Sequence, residues 1–405
     1  MNYQLSHRVC SLNPYIGAEL RDKVEALRRS GRKLIALNVG EPDFPTPIHI
    51  AHAGIEAIIK GETKYTPVQG TYAVRHAVSE KLKRENGLSY TPEEVIITTG
   101  AKQAVANALL SICNEDDEVL LPIPCWGSYP EMIAHAGARP VFVETDPEQD
   151  FQLNVERLES KLTSKTRAIL LTNPNNPTGT VLNRETLYAI GMIAVRHNLY
   201  IIADEIYEHL IYGDKVPSIA ALSEDIKLRT ITINGLSKAY AMTGWRIGYA
   251  CGPLPVIRAM TVLQSYTTSN PSSIGQYAAI AALQDDGDSV KEMTKSFDER
   301  RQYLIREIRS IRGLACPDAG GAFYLMVDVS RYFGSVYENG TIANSKDFAE
   351  YLLNQAGVVV TPGDTFQAPR FIRLSYATSM TQLQEAVALI REALSPLKMR
   401  EEDLN

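Results

Sequence analysis

Cysteine is scarce: the 405 residues hold five, at Cys10, Cys113, Cys125, Cys251 and Cys316, odd in number and without paired spacing. That excludes a disulfide framework and reads as reduced thiols in a reducing compartment, with the cytoplasm as the expected location. Neither a Cys-x-x-Cys nor a His-x-His nor a His-Glu-x-x-His pattern occurs, so a metal site is not expected. His135, His197 and His209 read as surface or helix-end residues. No apolar run approaches the roughly 20 residues of a membrane span. Met1 to Gly17 lack the cationic start and apolar stretch of a secretory signal. Positive charge is not in excess: 41 Lys and Arg against 47 Asp and Glu leave a net charge of −6. That balance argues against nucleic acid or an anionic membrane as partner. Low-complexity tracts and internal repeats are missing too.

What is present is an ordinary globular composition, 45% hydrophobic and 22% charged, in a chain too long for one compact core. From about Glu94 to Gly248, strand-like and helix-like segments alternate. Val95 to Thr99, Asp117 to Leu121, Pro140 to Glu144, Arg167 to Leu171, Leu199 to Ala203 and Arg229 to Ile233 read as strands. Lys102 to Cys113 and Asn183 to Arg196 have helical periodicity. The near-continuous apolar run at Arg167–Leu171 suits a parallel strand buried on both faces. The pattern predicts an α/β fold with a mostly parallel sheet. Farther on, Asp286 to Ser310 reads as a long connecting helix. Glycine-rich Gly320 to Met326, a polar loop from Phe333 to Ser345, a helix from Lys346 to Gln355, strands at Val358–Val360 and Phe371–Ser375, and a last helix from Met380 to Leu397 suggest a smaller α+β unit. The expected division is an N-terminal arm (1–45) packing with that unit, a large domain (46–290) and a small C-terminal domain (291–405).

In an open α/β sheet, ligands sit beyond the carboxyl ends of the strands. Three such ends carry unusual polar residues. The first runs into Asn173-Pro174-Asn175-Asn176-Pro177-Thr178-Gly179, where an asparagine amide either faces a ligand or merely serves the turn. The second runs into Asp204-Glu205-Ile206-Tyr207, where Asp204 either answers a cation or caps the next helix. The spacing of 28 residues between Asn176 and Asp204 suits one strand–helix–strand unit, placing both on one sheet edge. The third end carries Ser237-Lys238 among small residues, with Arg246 eight positions on. A lysine there is either solvated or, if it loses its proton, an amine nucleophile. Arg246 offers a planar fork for an anion. Lysine plus anion clamp is what pyridoxal phosphate requires, since it carries an aldehyde and a phosphate. Upstream, Gly100-Ala101-Lys102 between strand and helix lets backbone N–H groups approach a phosphate.

Together, Asn176-Pro177-Thr178-Gly179, Asp204-x-x-Tyr207, Ser237-Lys238 and Arg246 resemble the fold-type I pyridoxal-phosphate enzymes, specifically the class I aminotransferases. Gly40-Glu41-Pro42-Asp43-Phe44-Pro45 near the start and Arg373-Leu374-Ser375-Tyr376 near the end extend the resemblance over nearly the whole chain. The run Ala241 to Ala250 is most similar to the bacterial aspartate aminotransferase-like branch. The resemblance implies pyridoxal 5′-phosphate as cofactor and Lys238 as the Schiff-base lysine, which also moves the substrate's Cα proton. Asp204 would keep the pyridine nitrogen protonated, while Asn176 and Tyr207 bond the phenolic oxygen and Trp126 stacks on the ring. Arg246, Ser237, the Gly100-Ala101-Lys102 backbone and Tyr65 from a neighbouring subunit would hold the phosphate, which implies a homodimer with shared sites. Arg373, with Gly40, Asn176 and Trp126, would bind the substrate.

Two departures stand out. Gly235 replaces a serine that the family often carries three residues before the lysine. In the arm, Asn13 and Gly17 occupy the places where the aspartate and prephenate branch has a lysine and a threonine for a second carboxylate. Tyr15 and Ile16 suit an apolar pocket instead. The expected activity is a two-stage transamination between an L-amino acid, aspartate-like, and a 2-oxo acid such as 2-oxoglutarate. Aromatic, alanine-type or broad amino donors, or a β-eliminating lyase reaction, are the alternatives. A DNA-binding regulator of this fold would need a helix-turn-helix domain, and the arm before Gly40 is short for one.

Overall fold

Strand residues 168–171 have no polar face, and the fold covers both sides of them. The protein is described here from a computed structural model covering residues 3–10, 12, 18–338 and 340–398. Ala168 and Leu170 pack with Val105, Leu109, Ile257 and Met260 of two helices on one side. Ile169 and Leu171 pack with Leu187, Ile190 and Ile193 of the helix Arg184–Arg196 on the other. Side chains alternate across a strand, so a sheet sandwiched by helices selects apolar residues at every position. Each such fully buried aliphatic residue contributes about 1.5–3 kcal/mol.

Among the described residues, seven strands form this sheet in the order Val95–Thr98, Gly248–Cys251, Thr230–Gly235, Tyr200–Asp204, Thr166–Thr172, Glu118–Ile123, Arg139–Glu144. The last five are parallel to one another; Gly248–Cys251 is antiparallel to both neighbours. The α/β class with a mostly parallel sheet is thus the observed fold. Gly248–Cys251 went unread in the sequence, because four residues beginning with glycine carry no periodicity.

The second sheet runs Thr361–Pro362, Phe371–Ser375, Tyr324–Asp328, all antiparallel. Its register sets Arg373 opposite Met326 and Ser375 opposite Tyr324. The helices Asp288–Arg309, Ser345–Gln355 and Met380–Leu394 accompany it. The early strand Ile35–Ala36 pairs in parallel with Val358–Val359. The polar segment read as a loop contains a two-residue ladder, Val336–Tyr337 with Gly340–Thr341, too short to show alternation. No described helix is long and apolar enough to cross a membrane.

Some helix starts carry a side-chain cap and others do not. Asn183 and Ser272 cap their helices, accepting from Thr186 N at 2.8 Å and Gly275 N at 3.2 Å. Ala101–Ile112 begins at Gly100 (φ +78°) with no side-chain cap. Its first N–H groups and dipole are left for an anion.

Candidate active site

The register Thr172–Asp204–Ile233 across three neighbouring parallel strands brings their carboxyl ends together. In the turn after the first, Asn175 serves the backbone: its Nδ2 donates to Pro124 O at 3.0 Å and to Thr178 Oγ1 at 2.9 Å. Asn176 does not; buried, its Oδ1 accepts from Arg373 Nη1 at 3.0 Å. The turn reading therefore holds for Asn175, while the Asn176 side chain meets Arg373.

Asp204 is buried and accepts from Tyr129 Oη at 2.8 Å and from Ile206 N at 3.2 Å. Burial pushes its carboxyl up to about 6, against the pull of Tyr129, Ile206 N–H and Lys238. Lys238 donates to the Gly40 carbonyl and lies 5.9 and 5.7 Å from the ring centroids of Tyr207 and Phe323. Burial lowers its ammonium to about 8; Glu41 and Asp204 oppose that shift, Arg373 and Arg246 add to it. Tyr207, also buried, shares a 2.9 Å hydrogen bond with Tyr324 Oη. Its hydroxyl is held well above the ordinary range by burial and then by Tyr324.

Arg373 is buried, with Nη2 donating to Asn38 O at 3.0 Å. Its guanidinium carbon sits 4.3 Å from the Tyr324 ring centroid and 4.8 Å from that of Phe366. Its Nε is buried and has no hydrogen-bond partner. Arg246 adopts φ +57°, unusual for a non-glycine residue, and donates to Thr243 O at 2.8 Å. A Cβ at Gly100 would meet Arg246 Nη2 at 2.5 Å, so this guanidinium lies against the uncapped helix start. Trp126 packs edge-on against Tyr129 at 5.2 Å, and Lys102 Nζ lies 4.5 Å from the Trp126 ring centroid. A Cβ at Gly40 would meet Tyr324 Oη at 2.9 Å.

Gly235 has a steric reason. A Cβ there would lie 3.1 Å from both Gly248 Cα and Ile247 O, so a serine would need that backbone to give by a few tenths of an ångström. Buried Ser237 is the hydroxyl available nearby. Tyr65 is 93% exposed and stands outside this group. Asn13, Tyr15, Ile16 and Gly17 lie outside the described residues. His209, read from the sequence as a surface or helix-end residue, instead meets Glu85 at 3.0 Å in a half-buried ionic cluster beneath the site.

A sequence model of the family "Aminotransferase class I and II" matches residues 32–390. The chain belongs to that family. It is 46% identical over 403 residues to the bifunctional aspartate aminotransferase and glutamate/aspartate-prephenate aminotransferase of Petunia hybrida, covering 98% of this chain and 84% of that one. To the aspartate aminotransferase of Bacillus sp. (strain YM-2) it is 44% identical, covering 96% and 99%. Among solved structures, the aspartate aminotransferase of Rhizobium meliloti superimposes with a TM-score of 0.95 at 40% identity, covering 98% and 100%.

Aminotransferases of this family depend on pyridoxal 5′-phosphate, and the residues fit that group. Asp204 is a buried carboxyl in contact with no cation, as a protonated pyridine nitrogen demands. The uncapped helix start beside Arg246 suits a phosphate. The orphaned Nε of Arg373 suits a carboxylate. Tyr129, Tyr324 and Phe366 were missed by the sequence reading. Tyr129 had a faint signal, three residues after Trp126; Tyr324 and Phe366 had none, because sheet pairing and loop packing bring them in.

Proposed function

We propose that this transaminase takes the amino group of an acidic L-amino acid, aspartate foremost, and delivers it to a 2-oxo acid such as 2-oxoglutarate. The observation that carries this reading is the convergence of half-buried Lys238 with buried Asp204, Asn176, Tyr207 and Arg373. Bound pyridoxal phosphate supplies the electron sink for charge left at the substrate's Cα. Lys238 would hold the cofactor and, once released, would move the substrate's Cα proton across the nitrogen to the cofactor carbon two atoms away. An amine poised near 8 serves both directions close to neutral pH. Asp204, positioned by Tyr129, keeps the ring nitrogen charged. Asn176 and Tyr207 donate to the phenolic oxygen, and Trp126 covers the ring. Arg246, Ser237 and the Gly100-Ala101-Lys102 backbone hold the phosphate. Arg373, with Asn176 and the Gly40 backbone, holds the α-carboxylate.

Lys102 supports the acidic preference. Its ammonium rests over Trp126 with Ser128 Oγ at 3.3 Å, and burial with nearby Arg246 lowers its proton affinity. A substrate's distal carboxylate would neutralise that cation. The names of the relatives also support aspartate. A homodimer is supported by exposed Ile55, Ile58 and Ile59 on the helix Ile48–Ile59 and by exposed Tyr65, which would reach a second copy's phosphate. The free cysteines support a cytoplasmic location. The proposed units are an arm (1–45), a cofactor domain (46–290) and a small domain (291–405).

The test is a panel of amino acids with 2-oxoglutarate, reading glutamate formation. Aspartate should be fastest; a panel led by aromatic donors would overturn the acidic preference. Ammonia and pyruvate without an oxo-acid acceptor would put a lyase in its place.

A further inference from the structure

We propose that Tyr324 is a positioning residue for the reaction, donating its hydroxyl hydrogen to Tyr207 while its ring carries the guanidinium of Arg373. This rests on the role given above to Tyr207. Tyr324 opens the strand Tyr324–Asp328, which pairs with the middle strand of the small sheet, and its side chain is buried. Its Oη is 2.9 Å from Tyr207 Oη, and the two rings meet edge to face at 5.8 Å. Its ring centroid is 4.3 Å from the Arg373 guanidinium carbon. Its Oη also abuts Gly40, whose carbonyl accepts from Lys238. One side chain therefore touches the residues assigned to the phenolic oxygen and the α-carboxylate, and the glycine whose carbonyl receives the lysine's hydrogen bond.

The direction of the tyrosine pair follows from counting protons. Each hydroxyl has one hydrogen to give. If Tyr207 spends its hydrogen on the cofactor's phenolic oxygen, the bond between the two tyrosines must be donated by Tyr324. Donation into Tyr207 makes its own hydroxyl a stronger donor, because linked hydrogen bonds polarise one another. A stronger donor draws density from the phenolic oxygen and lowers its hold on protons. The charged groups around Tyr207 are Asp204, Lys238 and Arg373, and Tyr324→Phe leaves all three in place.

The test uses the holoenzyme, with the pH midpoint of the bound cofactor's visible absorbance read beside KM and kcat. Tyr324→Phe should raise that midpoint by about half to one pH unit. It keeps the ring under Arg373, so KM for the amino donor should hold while kcat falls. Tyr324→Met removes the ring, and KM should rise about tenfold. In a Tyr207→Phe background, adding Tyr324→Phe should move the midpoint no further. A midpoint unmoved by Tyr324→Phe yet moved by Tyr207→Phe would overturn the inference alone, as would additive shifts in the double variant. A midpoint that Tyr207→Phe itself leaves in place would bring down the role of Tyr207, and this inference with it.

Discussion

Burial turns Lys238 from a surface cation into an amine that spends part of its time neutral at working pH. In water a lysine titrates near 10.4; here the apolar surround and two arginines bring it to about 8. The neutral amine is the nucleophile, so capture of added pyridoxal phosphate by the apoenzyme should accelerate as pH rises through about 8. Stopped-flow absorbance would show it, and a pH-independent rate would contradict it. Lys238→Ala should bind the cofactor without any bond that borohydride can make permanent, and should lose about 10⁴-fold or more in turnover. Lys102→Met should raise KM for aspartate about tenfold or more and leave alanine nearly unaffected, if its ammonium meets the distal carboxylate. At this scale the sequence was most legible for Lys238, Asp204 and Asn176, whose chemistry sits in one short motif each. Tyr324 was not legible, because nothing local distinguishes it from a strand tyrosine.

At the scale of elements, strand ends do the positioning and a buried ionic network braces them. Lys81, 1% exposed, pairs with Glu208, which also accepts from Asn86 Nδ2 at 2.5 Å and from Asn234 Nδ2 at 2.7 Å. Asn234 Oδ1 in turn accepts from Gly235 N at 2.7 Å, four residues or fewer from Lys238 along the chain. The helix carrying Lys81, the turn carrying Tyr207 and the strand leading to Lys238 are thereby joined. Burial works against the charge on Glu208, but Lys81, His209 and Asn86 hold its carboxyl at about 2. Being lowered in the fold, it adds stability that is present above its ordinary 4.5 and lost as pH falls toward about 2. Lys81→Met should cost about 3–5 kcal/mol by stranding that carboxylate, and Lys81→Met with Glu208→Leu should recover much of it. Thermal melts of both variants decide this; equal losses would mean that the pair is not the brace. The network had no sequence signature, since its directly bonded members are up to 127 residues apart.

At the scale of the molecule, the two larger sheets would each contribute to the proposed substrate site. Arg373 lies on a strand of the small sheet and Asn176 in the turn after a strand of the large one, and their 3.0 Å contact joins them. The proposed dimer would add Tyr65 from a second copy. Mixing Lys238→Ala with Tyr65→Ala subunits should then restore turnover above the sum of the two, because one site in each mixed dimer keeps both residues. Activity no greater than the sum would argue that Tyr65 acts within its own subunit or not at all. The α/β class and the order of its parallel strands' segments along the chain were determined by the sequence alone, because periodicity is local; strand-end motifs named Lys238, Asp204 and Asn176 as candidates. Only the tertiary structure decided the strand order, the antiparallel Gly248–Cys251 insertion, the close packing around Gly235 and the Tyr207–Tyr324–Arg373 chain of contacts. Those depend on which distant segments meet, and meeting is settled by packing rather than by any pattern within a single segment.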